Sequence, residues 1–173
     1  MGLLDRLRST GKSLEVEAVD DTRAFEGSKG DRLFSRGAVP VDSDGAPLRD
    51  AEHSTSNPQV LHARVAGTHH NPTALSDSRF DPGSRVTLRQ GPGTPSDPNA
   101  VGVWDSAGLV QAGYLPATLS RAVARMLRSG TALEGQVVRE LRLHSERGER
   151  IAVYVLIAPP GRIEFVGRER PTA

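Results

Sequence analysis

The chain contains no cysteine, few aromatic residues and no long apolar run. None of its 173 residues is Cys, and Phe, Trp and Tyr together make up 4%. Without thiols the protein can form no disulfide, no cysteine-based zinc site and no cysteine nucleophile. No apolar stretch approaches the length that a bilayer-spanning helix requires. We therefore expect a cytoplasmic protein that has no membrane partner.

Sequence signatures of catalysis are also missing. The chain has neither a Gly-x-Ser-x-Gly elbow nor a His-Glu-x-x-His motif, which mark serine hydrolases and zinc peptidases. Gly11-Lys12-Ser13 resembles the end of a phosphate-binding P-loop, but Arg6 occupies the position at which that motif requires its first glycine. We expect a protein that is not an enzyme and that uses no metal ion and no cofactor.

Residues 1–58 are acidic and poor in large apolar side chains. Asp and Glu outnumber Lys and Arg in this segment, and its apolar residues follow no sustained helical or strand period. Such a composition predicts a largely disordered N-terminal tail, through which the chain could contact a protein partner. The remainder is basic with Arg as its strong cation, which suits nucleic acid as a partner.

Short apolar stretches separated by turn residues fill residues 59–160. Alternating side chains, as in Val86-Thr87-Leu88, predict six strands. These strands are expected at 60–66, 85–89, 100–104, 109–115, 132–143 and 150–158. Residues 161–173 are expected to be either a tail or an edge strand at 163–166. The element count predicts a mainly β fold, a small OB-like β-barrel with one or two helices, and an open α+β sandwich is the alternative.

One helix is predicted over residues 117–129. Leu119, Val123 and Met126 share its packing face, and Gly130 follows as a C-terminal cap. The opposite face is expected to carry a basic stripe, formed by Arg121, Arg125 and Arg128.

The stretch from Gly91 to Pro116 joins a stiff polar loop to a hairpin. It reads GPGTPSDPNAVGVWDSAGLVQAGYLP, and its first three prolines each fix φ and lack a donor N–H. Asp97 and Asn99 are turn formers, because their short side chains hydrogen-bond nearby backbone groups. A polar loop braced by a sheet is a typical place for a recognition site.

The order of these motifs resembles the HIRAN domain. That family combines a polar loop of the form N-P-aromatic-D-x-N-A-V/I with a strand, a turn and G-Y/H-I/L. The matching residues here are Asp97, Asn99, Ala100 and Val101, followed by Gly113, Tyr114 and Leu115. Upstream, Val65-Ala66-Gly67 lies where the family has its first glycine-containing strand. The resemblance covers residues 59–159 and implies a compact β-barrel similar to an OB-fold.

The resemblance also implies a function in DNA repair or replication processing. Members of the family bind single-stranded DNA with a free 3′ end, so single-stranded DNA or DNA ends are the partner that it implies. Asp97 would then accept a hydrogen bond from a terminal hydroxyl, Thr94 stands where the family often has Asn, and Tyr114 would offer its ring to the backbone or a base. The residues proposed for this interface are His69, His70, Asn71, Arg89, Thr94, Asp97, Asn99, Tyr114 and Arg121. Hydrolase and zinc labels that accompany the family belong to motor and RING modules that this sequence does not contain.

Two departures from the family pattern bear on affinity. Ser96 replaces the usual aromatic residue, and the loop at His69 lacks a strong cation, so we expect weaker stacking and weaker phosphate binding. Structural roles remain open too, since Asp97 could simply cap a turn and Tyr114 could pack at a barrel rim. The alternative function is a non-catalytic protein-interaction adaptor built on the same barrel.

Three further side chains are assigned positions by the sequence pattern. Trp104 follows a buried strand and is expected in the core or at its rim rather than as a stacking surface. His62 and His144 are expected at the surface.

Overall fold

The computed structural model describes residues 14–27, 30–48, 52–53, 60–91, 95–145, 148–161 and 163–167. Within these ranges the chain is mainly β. The strands are β1 (Leu14–Asp20), β2 (Arg23–Glu26), β3 (Arg32–Pro40), β4 (Glu52–His53), β5 (Leu61–Arg64), β6 (Arg85–Gln90), β7 (Val101–Asp105), β8 (Gln111–Tyr114), β9 (Glu134–Ser145), β10 (Gly148–Ala158) and β11 (Ile163–Gly167). The helix is α1 (Ala117–Arg128). No helix in the part of the chain described is long and apolar enough to cross a membrane.

The strands predicted between residues 59 and 160 are confirmed as β5 to β10. β10 pairs with β5 and β9, β9 pairs with β6, and β7 pairs with both β6 and β8, all antiparallel. Their inward side chains form the main core together with the predicted face of α1, where Leu119, Val123 and Met126 are buried. Gly130 follows the helix at φ 78°, as its predicted capping role requires.

The sheet is not closed into the predicted barrel. Closure would require a continuous ladder between the residues after β5 and strand β8. Among the described residues these two segments form one isolated bridge, between Ala66 and Tyr114. Its two hydrogen bonds are Ala66 N–H to Tyr114 O at 2.7 Å and Tyr114 N–H to Ala66 O at 2.9 Å. The ladder stops there because Gly67 adopts φ 73° and turns the chain into a 3-10 helix over Thr68–His70. A left-handed residue at this point ends the extended backbone that a continuous ladder needs.

The prediction of a disordered N-terminal tail is wrong for residues 14–27 and 30–48. These residues contain β1, β2 and β3, while residues 1–13, 28–29, 49–51 and 54–58 lie outside the described ranges. β3 pairs with β2 up to Ser35 and with β9 up to Gly37, and its last residues pair with β1. Gly37 has φ 108°, and a Cβ there would collide with the carbonyl oxygen of Val138. The glycine therefore allows β3 to bend while lying directly against β9.

β11 is the edge strand expected at 163–166, and it pairs in parallel with β1. Together the N-terminal strands and β11 support a second hydrophobic core on the other face of β9 and β10. This core contains Val16, Val60, Val138, Ala152, Tyr154, Leu156 and Ala158. β10 is consequently buried on both faces from residue 152 to residue 158.

His62 belongs to this doubly covered region, which contradicts its predicted surface position. Its side chain is 1% exposed, and its ring stacks on Tyr154 with a centroid separation of 5.8 Å. Arg139 covers the same tyrosine ring at 4.2 Å and pairs with Asp21 at 3.2 Å. Asp21 also accepts a hydrogen bond from Ser35 Oγ at 2.7 Å. A buried carboxylate from the N-terminal segment is thus neutralised by an arginine of β9, as burial of a charge requires.

Arg36 makes a further connection between the N-terminal segment and the rest of the fold. Its guanidinium pairs with the buried carboxylate of Glu140 on β9 at 2.6 Å and with Asp81, which precedes β6. The hydrogen bond to Glu140 is the main reason why the pKa of Arg36 lies above its usual value. The N-terminal segment is therefore an integral part of the fold.

Candidate nucleic-acid interface

The polar loop is fastened to the start of helix α1. Asp97 Oδ1 accepts a hydrogen bond from the backbone N–H of Asn99 at 3.0 Å, which confirms the expected turn. Asp97 Oδ2 accepts a hydrogen bond from Ser120 Oγ at 2.9 Å. Ser120 is fully buried in the first turn of α1, so its hydroxyl fixes the orientation of the carboxylate. Thr94, also proposed for this site, lies outside the described residues.

Asn99 connects the loop to the other end of the same helix. Its Oδ1 lies 3.4 Å from both terminal nitrogens of Arg128. Arg121 and Arg125 are exposed, as the basic stripe predicted, and neither makes an ion pair with another described residue. Arg128 is therefore partly committed to the loop, while Arg121 and Arg125 present their charge to solvent.

Tyr114 lies next to this helix start and is exposed. It ends β8, two residues before Pro116, and 42% of its surface is accessible. A Cβ on Gly67 would lie 4.0 Å from Tyr114 Cδ2 and 3.6 Å from His70 Cδ2. The tyrosine and histidine rings thus flank the same glycine, and the fold brings these two predicted residues together.

His69 and His70 lie on the 3-10 turn and are both exposed. Their rings are 3.9 Å apart at an angle of 43°. The turn is anchored from below, because the buried hydroxyl of Thr68 donates to the carbonyl of Ile151 at 2.8 Å. Asn71 ends the turn, with its N–H donating to Thr68 O. We call Asp97, Tyr114, His70 and His69 the polar strip.

A basic groove adjoins the polar strip at His69. It encloses about 490 Å³, and its walls include Arg64, Leu75, Arg150 and Ile151. Arg64 and Arg150 are exposed, and neither has a hydrogen-bonding or carboxylate partner among the described residues.

Among the described residues, the carboxylate that lines the basic groove lies close to two neighbouring side chains. Glu149 lies 3.6 Å from Arg142 and 3.4 Å from His144, which is half-exposed as its predicted surface position requires. The groove therefore offers two uncompensated guanidinium groups to an anion. Sequence reasoning missed Arg64 and Arg150, because only the pairing of β5 with β10 and the 3-10 turn bring them to one groove.

Arg89 is a predicted site residue that lies apart from the polar strip. It occupies the same cross-strand row as Gly102 and Tyr114, on the outer face of β6, β7 and β8. Its guanidinium extends toward the hairpin turn instead, donating to Gly108 O at 3.0 Å and lying 5.6 Å from the Trp104 ring centre. Trp104 also faces outward, half-buried, rather than into the main core.

A buried carboxylate organises the turn between β7 and β8. Asp105 Oδ1 accepts hydrogen bonds from the N–H groups of Leu109 at 2.7 Å and Val110 at 3.2 Å, and Oδ2 pairs with Arg79 at 3.2 Å. Burial alone would raise the pKa of Asp105, but these hydrogen bonds outweigh it and hold the pKa below its usual value. The hairpin that carries Tyr114 is therefore held together by an ionised side chain.

Comparison with known proteins gives one family and several structures. The model of the HIRAN domain family matches residues 59–156. No curated protein sequence matches the chain. Similar solved structures include the crystal structure of the HIRAN domain of human HLTF, with 19% identity, 58% of this chain and 76% of that chain covered, and a TM-score of 0.39. A crystal structure of a Lactobacillus plantarum protein has 18% identity, coverages of 56% and 91%, and a TM-score of 0.40. The NMR structure of the HLTF HIRAN domain has 22% identity, coverages of 58% and 75%, and a TM-score of 0.37.

Proposed function

Because the chain belongs to the HIRAN domain family, we propose that it binds single-stranded DNA and holds a free 3′ end at the loop of residues 95–99. Domains of this family are nucleic-acid-binding modules. The observation that carries the finer proposal is the continuity of the polar strip with the basic groove. The rings of Tyr114 and His70 flank Gly67, and His69 lines the basic groove with Arg64 and Arg150, which have no carboxylate partner among the described residues. The module would act by binding alone, without catalysis, in DNA repair or replication processing.

Asp97 is suited to accept a hydrogen bond from the terminal hydroxyl. A carboxylate offers about four acceptor positions on its two oxygens. Ser120 donates to one oxygen and the backbone N–H of Asn99 to the other, which fixes the orientation of the carboxylate. An acceptor held in place before the DNA arrives loses little further entropy on binding.

The basic groove is suited to contact the phosphates behind the terminal nucleotide. Arginine binds phosphate oxygens through a planar pair of N–H donors, and Arg64 and Arg150 converge on one cavity. His69, at the mouth of the groove, adds a further polar contact. The exposed ring of Tyr114 offers a face to a base, which compensates in part for the serine at position 96.

The test is fluorescence anisotropy with two labelled single strands of equal length, one with a free 3′ hydroxyl and one with a blocked 3′ end. We expect the free end to be preferred by the wild-type protein, and we expect Asp97→Ala to lose that preference. Asp97→Asn keeps an acceptor for the Asn99 N–H and removes the charge, so it separates turn formation from end recognition. Asp44→Ala is the matched control, because it removes an exposed carboxylate from a turn of the N-terminal segment.

Other outcomes lead to different conclusions. Equal binding of both strands with a steep salt dependence would mean that the arginines bind the DNA backbone without recognising its end. No binding at low salt would refute the proposal and leave the protein-interaction adaptor as the better explanation of the domain.

A further inference from the structure

We propose that the outer face of β6, β7 and β8 is a second contact surface, on which a base of the bound single strand stacks against Trp104. We call Arg89, Trp104 and Tyr114 the outer platform. The inference rests on the proposed function and extends it from the 3′ end of the bound DNA to the nucleotides that precede this end. It differs from the basic groove in its chemistry, since the contact is with a base face rather than with phosphate.

The position of the indole ring supports this second contact surface. Val101 and Val103 of β7 point into the main core and are fully buried, so Gly102 and Trp104 point outward. A Cβ at Gly102 would lie 2.6 Å from Trp104 Nε1 and 2.9 Å from Gln111 Nε2. The missing side chain thus leaves the space in which the indole lies against its own strand. The indole is half-buried and Arg89 lies 5.6 Å from its centre, so the accessible part of the ring is where a base can stack beside the guanidinium.

The charge around the ring favours a nucleic acid as its partner. The outward positions of the three strands are Arg85, Thr87, Arg89, Gly102, Trp104, Gln111 and Tyr114, and they include no carboxylate. Asp105, at the end of β7, is buried and bound to Arg79 and to backbone N–H groups. Arg89 lies over the indole and has no carboxylate partner among the described residues. An aromatic surface with an uncompensated cation complements a nucleic acid better than it complements an apolar protein segment.

The outer platform also continues the polar strip. Tyr114 belongs to both surfaces, and in the strand register it lies opposite Gly102, which in turn lies opposite Arg89. Neighbouring strands are about 4.8 Å apart, so the backbones of Arg89 and Tyr114 are separated by about 10 Å. Single-stranded DNA that contacts Tyr114 can therefore cross β7 and contact Trp104 while it remains on the outer face of the sheet.

The test uses the fact that Trp104 is the single tryptophan of the chain. Its intrinsic fluorescence reports on this position alone during titration with an unlabelled oligothymidylate of about twelve nucleotides. We expect quenching with the same midpoint as the anisotropy titration. Trp104→Leu and Arg89→Ala are expected to weaken binding about tenfold, whereas Trp104→Tyr retains most of the affinity because it keeps a ring. Arg85→Ala is the control, because it removes an equal charge from the same strand and face. We expect it to weaken DNA binding less than Arg89→Ala does.

The outcomes separate this inference from the function on which it rests. If anisotropy shows binding while the Trp104 emission does not change and Arg89→Ala binds like wild type, the outer platform is refuted and the end site stands. If anisotropy shows no binding at low salt, the proposed function fails and the outer platform fails with it. Quenching of the wild type and the comparison of Arg89→Ala with Arg85→Ala decide the question even if Trp104→Leu does not fold.

Discussion

Replacing Ser120 by Ala should release Asp97 from helix α1 and lower both stability and end recognition. The Ser120 hydroxyl has one hydrogen, and its two acceptors are Asp97 Oδ2 at 2.9 Å and the carbonyl of Pro116 at 3.0 Å. Because the serine is fully buried and the carboxylate is charged, we expect a loss of about 1.5–3 kcal/mol. For a chain of this size this corresponds to a decrease in melting temperature of about 3–12 °C.

A double-mutant cycle isolates this hydrogen bond from the rest of the loop. Ser120→Ala, Asp97→Ala and the double variant are compared by urea unfolding, and we expect a coupling energy of about 1–3 kcal/mol. Ser129→Ala is the control partner, because its hydroxyl binds Met126 O beyond the far end of α1, about 13 Å along the helix axis. The losses of unfolding free energy caused by Asp97→Ala and Ser129→Ala should be additive. If the losses caused by Asp97→Ala and Ser120→Ala are additive as well, the helix does not anchor the loop.

Three further changes test other parts of the fold and site. Gly37→Ala should lower the free energy of unfolding by about 2–4 kcal/mol, because it strains a residue at φ 108° and drives a Cβ into the Val138 carbonyl. Gly30→Ala, at φ 74° with open space around it, should lower it by only about 1 kcal/mol. Equal losses in urea unfolding would contradict this explanation. Hydrogen bonds lower the pKa of Asp105 in the folded state, so the carboxylate stabilises the fold above the unfolded pKa of about 3.9, and this stabilisation is lost as the pH falls through the lower folded value. Asp105→Asn should therefore be less stable than wild type at neutral pH. In urea unfolding the difference between the two midpoints should shrink below about pH 4. The His69→Ala, His70→Ala double variant should bind DNA several-fold more weakly than wild type in anisotropy, because it removes two exposed rings beside Tyr114 and the basic groove; unchanged binding would exclude the histidines from the interface.

Local signals made the domain core predictable from the sequence. The alternation in β6, the turn formers Asp97 and Asn99, and the glycine cap after α1 each act within a few residues, and the structure contains them as expected. Turn and cap chemistry depends little on distant partners, which is why these elements could be assigned without a structure.

Two of the errors, the disordered tail and the exposed His62, have a common cause in the N-terminal segment. In β1 the apolar Leu14, Val16 and Ala18 alternate with Glu15 and Glu17, but this short strand signal was outweighed by the acidic composition of the segment, and its parallel partner β11 is distant in the sequence. The second core that these strands cover was therefore not predicted, and His62 was assigned to the surface. The barrel prediction is wrong for a separate reason, because the left-handed conformation of Gly67 is visible only in the structure.

The candidate site was predictable only in part. Asp97 and Tyr114 carry family motifs, whereas Arg64 and Arg150 are separated in sequence and have neighbours that give no hint of a shared groove. Their convergence depends on the register of β5 with β10 and on the 3-10 turn between β5 and β6. Residues brought together by sheet pairing cannot be recognised from spacing along the chain.

The parallel pairing of β1 with β11 also determines when the chain can finish folding during its synthesis. β1 leaves the ribosome long before β11, yet Leu14 pairs with Ile163 and the last paired residue of β11 is Gly167. Until that late segment emerges, one edge of β1 has no partner and exposes its backbone N–H and C=O groups, which other chains can pair with. We expect nascent or truncated chains that stop before Ile163 to be retained by chaperones or to aggregate, even when residues 59–156 have already been synthesised in full.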